Sequence, residues 1–170
     1  TSGGENVAIG KQSLFTALTG GANTAVGFQS LKANTVSGNT AVGHSALTAN
    51  ATGLNNTALG YQSLKTNVDG DNNVAVGALS LYTFEASSDG DGCNTAVGAN
   101  SGYLVSTGQD NVLIGENAGW INSGVSLTTG SGNTLVGYQA AIGAAGGVNR
   151  TAIGKGTVAQ ADNSVTLGNA

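Results

Sequence analysis

The sequence has no proline and no methionine, one cysteine, one histidine and one tryptophan, and only 8% of its residues are charged. Each scarcity excludes something. A single cysteine, Cys93, allows no internal disulfide and no multi-cysteine metal site; its ordinary place is as a small buried or loop thiol. His44 has no second histidine or cysteine to join it, so no His-based metal centre is expected, and no activated-serine triad is recognisable around it. Lys11, Lys32, Lys65, Arg150 and Lys155 are far apart, and the formal charge is −4, which gives no electrostatic footprint for nucleic acid. No apolar run is long enough to span a bilayer, and no secretory leader opens the chain. The chain starts at Thr1 and is expected to be a piece of something longer. Low charge does not mean disorder here, because 39% of the residues are hydrophobic, mostly Ala, Val and Leu. Any core must be thin and closely packed.

What the chain does have is repetition. Asn39-Thr40-Ala41-Val42-Gly43 returns as Asn23–Gly27 before it and as Asn56-Thr57-Ala58-Leu59-Gly60 after it. Gly10, Gly27, Gly43, Gly60, Gly77, Gly98, Gly115, Gly137, Gly154 and Gly168 close successive copies, mostly 17 residues apart. A helical repeat needs roughly 33 residues for a helix pair, so this period instead suits one coil of a β-solenoid. Within the unit the alternation has period two, which places Thr and Val on one side and Asn, Ala and Gly on the other. A second short segment follows each glycine (Gln12-Ser13-Leu14, Gln29-Ser30-Leu31, Ser45-Ala46-Leu47, Gln62-Ser63-Leu64) and then a polar turn. The expectation is two short strands and two turns per coil, about ten coils, and a rod of roughly 45 Å at the usual strand spacing.

Stacked coils put like residues in columns. Asn6, Asn23, Asn39, Asn56, Asn73, Asn94, Asn111 and Asn133 are expected to form a structural amide ladder. The Val/Ile column (Ile9, Val26, Val42, Leu59 and their successors) and the column Leu14, Leu31, Leu47, Leu64, Leu81 are expected to fill the inside, leaving an Ala and Gly ladder exposed. Small residues on that ladder would let several rolls approach one another around a threefold axis and hide it. Two coils carry insertions, at 82–93 and 120–130, expected to bulge from one edge. The stretch 151–170 has a 14-residue period and reads as a narrower terminal coil.

These motifs carry a resemblance. Asn-Ser-Val-Thr-Leu-Gly at 163–168 and Thr-Ala-Ile-Gly at 151–154 resemble the head repeats of YadA-type trimeric autotransporter adhesins. The Asn-Thr-Ala-Val-Gly-aromatic-Gln-Ser-Leu form is similar to repeats in fibre or spike proteins of bacteriophages and large algal viruses, which often precede a self-cleaving intramolecular chaperone domain. The ending Val165–Ala170 resembles that junction. The resemblance implies an all-β, left-handed parallel β-roll assembled as a parallel homotrimer. It implies an extracellular place on a virion or phage surface, or on a bacterial outer surface. It implies attachment to a glycan or protein receptor of a host cell. It carries no catalytic residues and no cofactor, and no enzymatic activity is expected.

Candidate contact residues are few. Phe28, His44 and Tyr61 follow the closing glycine on consecutive coils and would form either an aromatic stripe suited to sugar rings or a cover for a seam between subunits. Trp120 opens the second insertion, either as a receptor anchor or folded back on its neighbour. Asp69-Gly70-Asp71 and Asp89-Gly90-Asp91 resemble fragments of calcium loops but lack the further oxygens and terminal Glu such a loop needs, so Asp69, Asp71, Asp89 and Asp91 are weak metal candidates beside a simple turn reading. The column Thr24, Thr40, Thr57, Thr95, Thr134 raises a different class, an ice-binding solenoid, although Val7, Val74 and Val112 interrupt it.

Overall fold

A computed structural model describes residues 3–16, 19–121 and 124–168. The described residues form twelve strands and no helix. Ten of the strands make one parallel sheet: β1 (Val7–Ile9), β2 (Thr24–Val26), β3 (Thr40–Val42), β4 (Thr57–Leu59), β5 (Val74–Val76), β6 (Thr95–Val97), β7 (Val112–Ile114), β8 (Thr134–Val136), then β10 (Arg150–Ile153) and β12 (Ser164–Leu167). The strands stack in chain order, and Thr24 pairs with Thr40, Ala25 with Ala41 and Val26 with Val42. The chain is thus a parallel β-solenoid of about nine turns with a period near 17 residues, as the repeat implies. β9 (Ala141–Ile142) and β11 (Val158–Ala159) form a second, two-stranded sheet beside its end.

The leucine column lies inside as expected, but on the strands the buried side is the reverse of the one expected. Ala25, Ala41, Ala58, Ala75 and Ala96 are fully buried, whereas Ile9 is 60% exposed, Leu59 48% and Ile153 43%. The roll is too thin for two large side chains to meet across it. A buried Leu from the second segment (Leu31, Leu47, Leu64, Leu81) reaches the strand and leaves room only for Ala. Where the strand residue grows, the facing one shrinks. In the seventh coil Leu113 takes the Ala position and Gly119 takes the Leu position; a Cβ on Gly119 would lie 3.4 Å from Leu113 Cδ2. In the sixth coil both positions are small, Ala96 and Gly102, and leucines of the neighbouring coils fill the space: a Cβ on Gly102 would lie 2.8 Å from Leu113 Cδ1 and 2.9 Å from Leu81 Cδ2.

The second segment is also not the expected strand over most of the rod. Gln29 and Leu31 have φ of 56° and 48°, Gln62 and Leu64 of 54° and 48°, and the other coils of this type match. Alternate residues sit in the left-handed region, which costs an L-residue about 1–2 kcal/mol. Full burial of each leucine, worth about 1.5–3 kcal/mol, offsets that cost. Inter-coil backbone bonds are kept: Leu47 N–H donates to Ser63 O at 3.0 Å and Gln62 N–H to His44 O at 2.9 Å.

The closing glycine has a steric reason. At Gly60, φ is 146° and a Cβ would lie 2.4 Å from Gly77 O of the next coil. The coils turn their corner there in backbone-to-backbone contact.

The amide ladder forms as expected. Asn23 Oδ1 accepts Asn39 N–H at 2.9 Å, Asn39 Oδ1 accepts Asn56 N–H at 2.8 Å, and the relay continues to Asn133. Each Nδ2 in turn ties down a turn carbonyl, for example Asn56 to Gly70 O at 2.7 Å. In the ninth coil Arg150 takes the asparagine position. Its N–H donates to Asn133 Oδ1, its Nε lies 2.7 Å from Asp162 Oδ1, and its Nη1 donates to Ala159 O. The Val148 N–H, and then the guanidinium, hold the exposed Asp162 carboxyl below its ordinary range. This buried arginine links the 17-residue coils to the 14-residue one, where β12 pairs with β10 in register.

Candidate functional surfaces

Three features are open to a partner, and one of them runs the length of the rod. The first is the outer face of the long sheet. Its two outward columns are Val7, Thr24, Thr40, Thr57, Val74, Thr95, Val112, Thr134, Thr151, Val165 and Ile9, Val26, Val42, Leu59, Val76, Val97, Ile114, Val136, Ile153, Leu167. All twenty positions are Thr, Val, Ile or Leu. No charge or proline guards the face, and at its ends Val165 and Leu167 are 68% and 71% exposed. Soluble monomers seldom show an apolar strip this long.

The second feature is the stripe after the closing glycine. The rings of Phe28 and His44 lie 5.0 Å apart, those of His44 and Tyr61 5.5 Å apart, tilted by 33° and 35°. All three are exposed at their edges. The expected stripe exists, with its rings tilted against one another. In the eighth and ninth coils the same column carries Tyr138 with Lys155 Nζ 5.7 Å from the ring centroid.

The third feature was not expected from the sequence. The residue after the inner leucine position, which Leu64 and Leu81 fill and then Gly102 and Gly119, forms its own column, with Lys65, Tyr82, Tyr103 and Trp120 on successive coils. Tyr82 and Tyr103 stack at 5.2 Å and 7° between planes, and Trp120 leans on Tyr103 at 5.2 Å and 41°. Lys65 Nζ lies over the Tyr82 ring and donates to its hydroxyl at 3.3 Å. Trp120 is half-buried, with Tyr103 of the preceding coil as its neighbour. The signal was the residue one place beyond the Leu column, read as a column in its own right.

The four aspartates do not converge. Asp71 Oδ1 accepts Leu54 N–H, Asp91 accepts Ser87 Oγ–H at 2.8 Å, and Asp69 faces Glu85. Among the described residues no group of three or more His, Cys, Asp or Glu side chains is placed to hold a metal ion, nor is any helix long and apolar enough to cross a membrane. Cys93 is exposed on the first insertion. Residues 122 and 123 of the second insertion, and 169–170 of the terminal junction, lie outside the described residues. Leu127 N–H donates to Gly119 O, so the second insertion leaves and rejoins the coil at one point.

Compared with known proteins, the chain matches no family model and no curated protein.

Proposed function

We propose that the chain is a structural and adhesive segment of a homotrimeric fibre that attaches a virus or phage to a host surface; the head of a bacterial surface adhesin is the same reading in another setting. One observation carries it: the uncharged Thr, Val and Ile face along all ten strands of the long sheet. Burying such a face against copies of itself needs a closed ring, and a threefold arrangement of parallel rods closes it. The Ala ladder is buried inside the roll, so the Val/Ile ladder is the surface left for association. The Lys65–Trp120 column and both insertions would then serve as the outer surface, where three copies bind a host glycan or protein with avidity.

Light scattering under dilution tests this. A mass three times the 16.4 kDa chain is expected, and Val97→Lys, which places a charge mid-face, is expected to lower it. A stable monomer in the unmodified chain overturns the reading. A second reading, ice binding, gains from one observation: the Thr column points outward from a flat parallel sheet. A monomer with measurable thermal hysteresis would favour it.

A further inference from the structure

Most of the rod is repetition, so its informative place is where repetition stops. A second asparagine column, Asn34, Asn50 and Asn67, runs inside the coil beside the first; Asn67 Nδ2 donates to Asn50 Oδ1 at 2.9 Å. It ends because the fifth coil puts the fully buried Phe84 where the next amide would stand. Asn67 Oδ1 is left buried without a donor, and so is Asp69 Oδ1 two residues on. Glu85, beside Phe84, faces Asp69. Its Oε2 accepts Val68 N–H at 3.0 Å, which sets its carboxyl beside Asp69, whose buried Oδ1 lacks a donor. Two ionised carboxylates have only acceptors, so a hydrogen bond between them needs a proton.

We propose that Asp69 and Glu85 share one proton, and that this proton makes the junction between the fourth and fifth coils the pH-sensitive joint of the rod. The other charged and titratable groups nearby do not replace it. On the fourth coil Lys65 lies over Tyr82, and Asp71 takes Leu54 N–H. On the fifth, Asp91 takes the Ser87 hydroxyl and Asp89 is exposed. On the sixth, where Glu85 N–H donates to Ser106 O, the titratable side chains are Tyr103, stacked on Tyr82, and Asp110. Asp69 is the charged group that acts on Glu85.

Burial first, and then Asp69, raise the Glu85 carboxyl from 4.5 to about 7. The unfolded chain therefore releases this proton at lower pH than the folded one. The contribution of the joint is complete below the unfolded value of 4.5, declines as pH rises, and is lost once pH passes about 7. Above that, two negative charges oppose each other across the junction, and the loop from Ala86 to Cys93, anchored at Glu85, loosens.

The chain has three glutamates, Glu5, Glu85 and Glu116, so carbon-13 labelling of glutamate in the full chain resolves the question. With EDTA present and pH taken from about 4 to about 9, one of the three carboxyl resonances is expected to titrate near neutrality. That resonance should vanish in Glu85→Gln and move down by about one pH unit or more in Asp69→Asn. Amide exchange at Val68, corrected for its intrinsic pH dependence, should quicken above neutrality in the unmodified chain and not in Glu85→Gln. Three ordinary glutamate titrations overturn the proposal, as does a Glu85 titration unmoved by Asp69→Asn. A dose-dependent calcium shift of the Glu85 resonance at neutral pH also overturns it, by placing a cation where the proton was assigned.

Discussion

Replacing Asn94 by alanine tests the amide ladder at a fully buried position. Asn94 Oδ1 accepts both the N–H and the Nδ2 of Asn111, at 3.1 and 3.0 Å, and its Nδ2 donates to Gly108 O at 2.9 Å. Truncation leaves the Asn111 N–H and the Gly108 carbonyl buried without those partners. Each such group costs about 1–3 kcal/mol, so the loss should be about 4 kcal/mol. The same change at Asn56 should cost less, about 3 kcal/mol, because Gly70 O keeps a second donor in Asn67 Nδ2. At Asn6, which is only partly buried and serves the first coil, it should cost least, about 1 kcal/mol. Urea unfolding at fixed protein concentration measures the three, and amide exchange at Asn111 reports the local opening. Equal losses at Asn94 and Asn6 would refute the reasoning, since burial would then not be what gives the ladder its worth.

Further predictions concern the steric frame. Gly60→Ala should destabilise by about 3 kcal/mol or more, from strain at φ 146° and overlap with Gly77 O, whereas Gly4→Ala, with open space around it, should stay within about 0.5 kcal/mol; thermal unfolding compares them. Ala58→Leu should cost about 1–3 kcal/mol by overfilling a coil whose Leu64 is already in place. Tyr103→Ala should cost about 1 kcal/mol for each of its two ring contacts, those with Tyr82 and Trp120. It should also red-shift the Trp120 fluorescence, which is read directly because this is the only tryptophan.

The sequence made the architecture legible because a solenoid is a one-dimensional object. A dominant period, a glycine at each corner and an asparagine four residues before it are enough to place coil on coil. Inside and outside were not legible in the same way. Period-two alternation says that Thr and Val share a face, but not which face is buried. Hydrophobicity favours burying Val, whereas the width of the roll, set by Leu31, Leu47, Leu64 and Leu81, admits only Ala. Nor does composition reveal that these leucines sit at positive φ, since leucine alone gives no hint of that conformation. The Lys65–Trp120 column was hidden by the first insertion, which stretches the interval from Tyr82 to Tyr103 to 21 residues.

The place where Phe84 stops the second asparagine column has one more consequence. Coils this alike offer a folding chain many almost equivalent partners. Thr40 against Thr57 is little different from Thr24 against Thr57, so a slip by one whole coil keeps every side chain on its proper face and loses little. Alternation guards against a slip of one residue, but not against one of seventeen. Only features that occur once distinguish the true pairing from its copies. Phe84 under Gly70 and Arg150 reaching Asp162 are such features. They act as alignment marks on a strip that would otherwise fit itself at any repeat, and they narrow the competing arrangements that a uniform array leaves open.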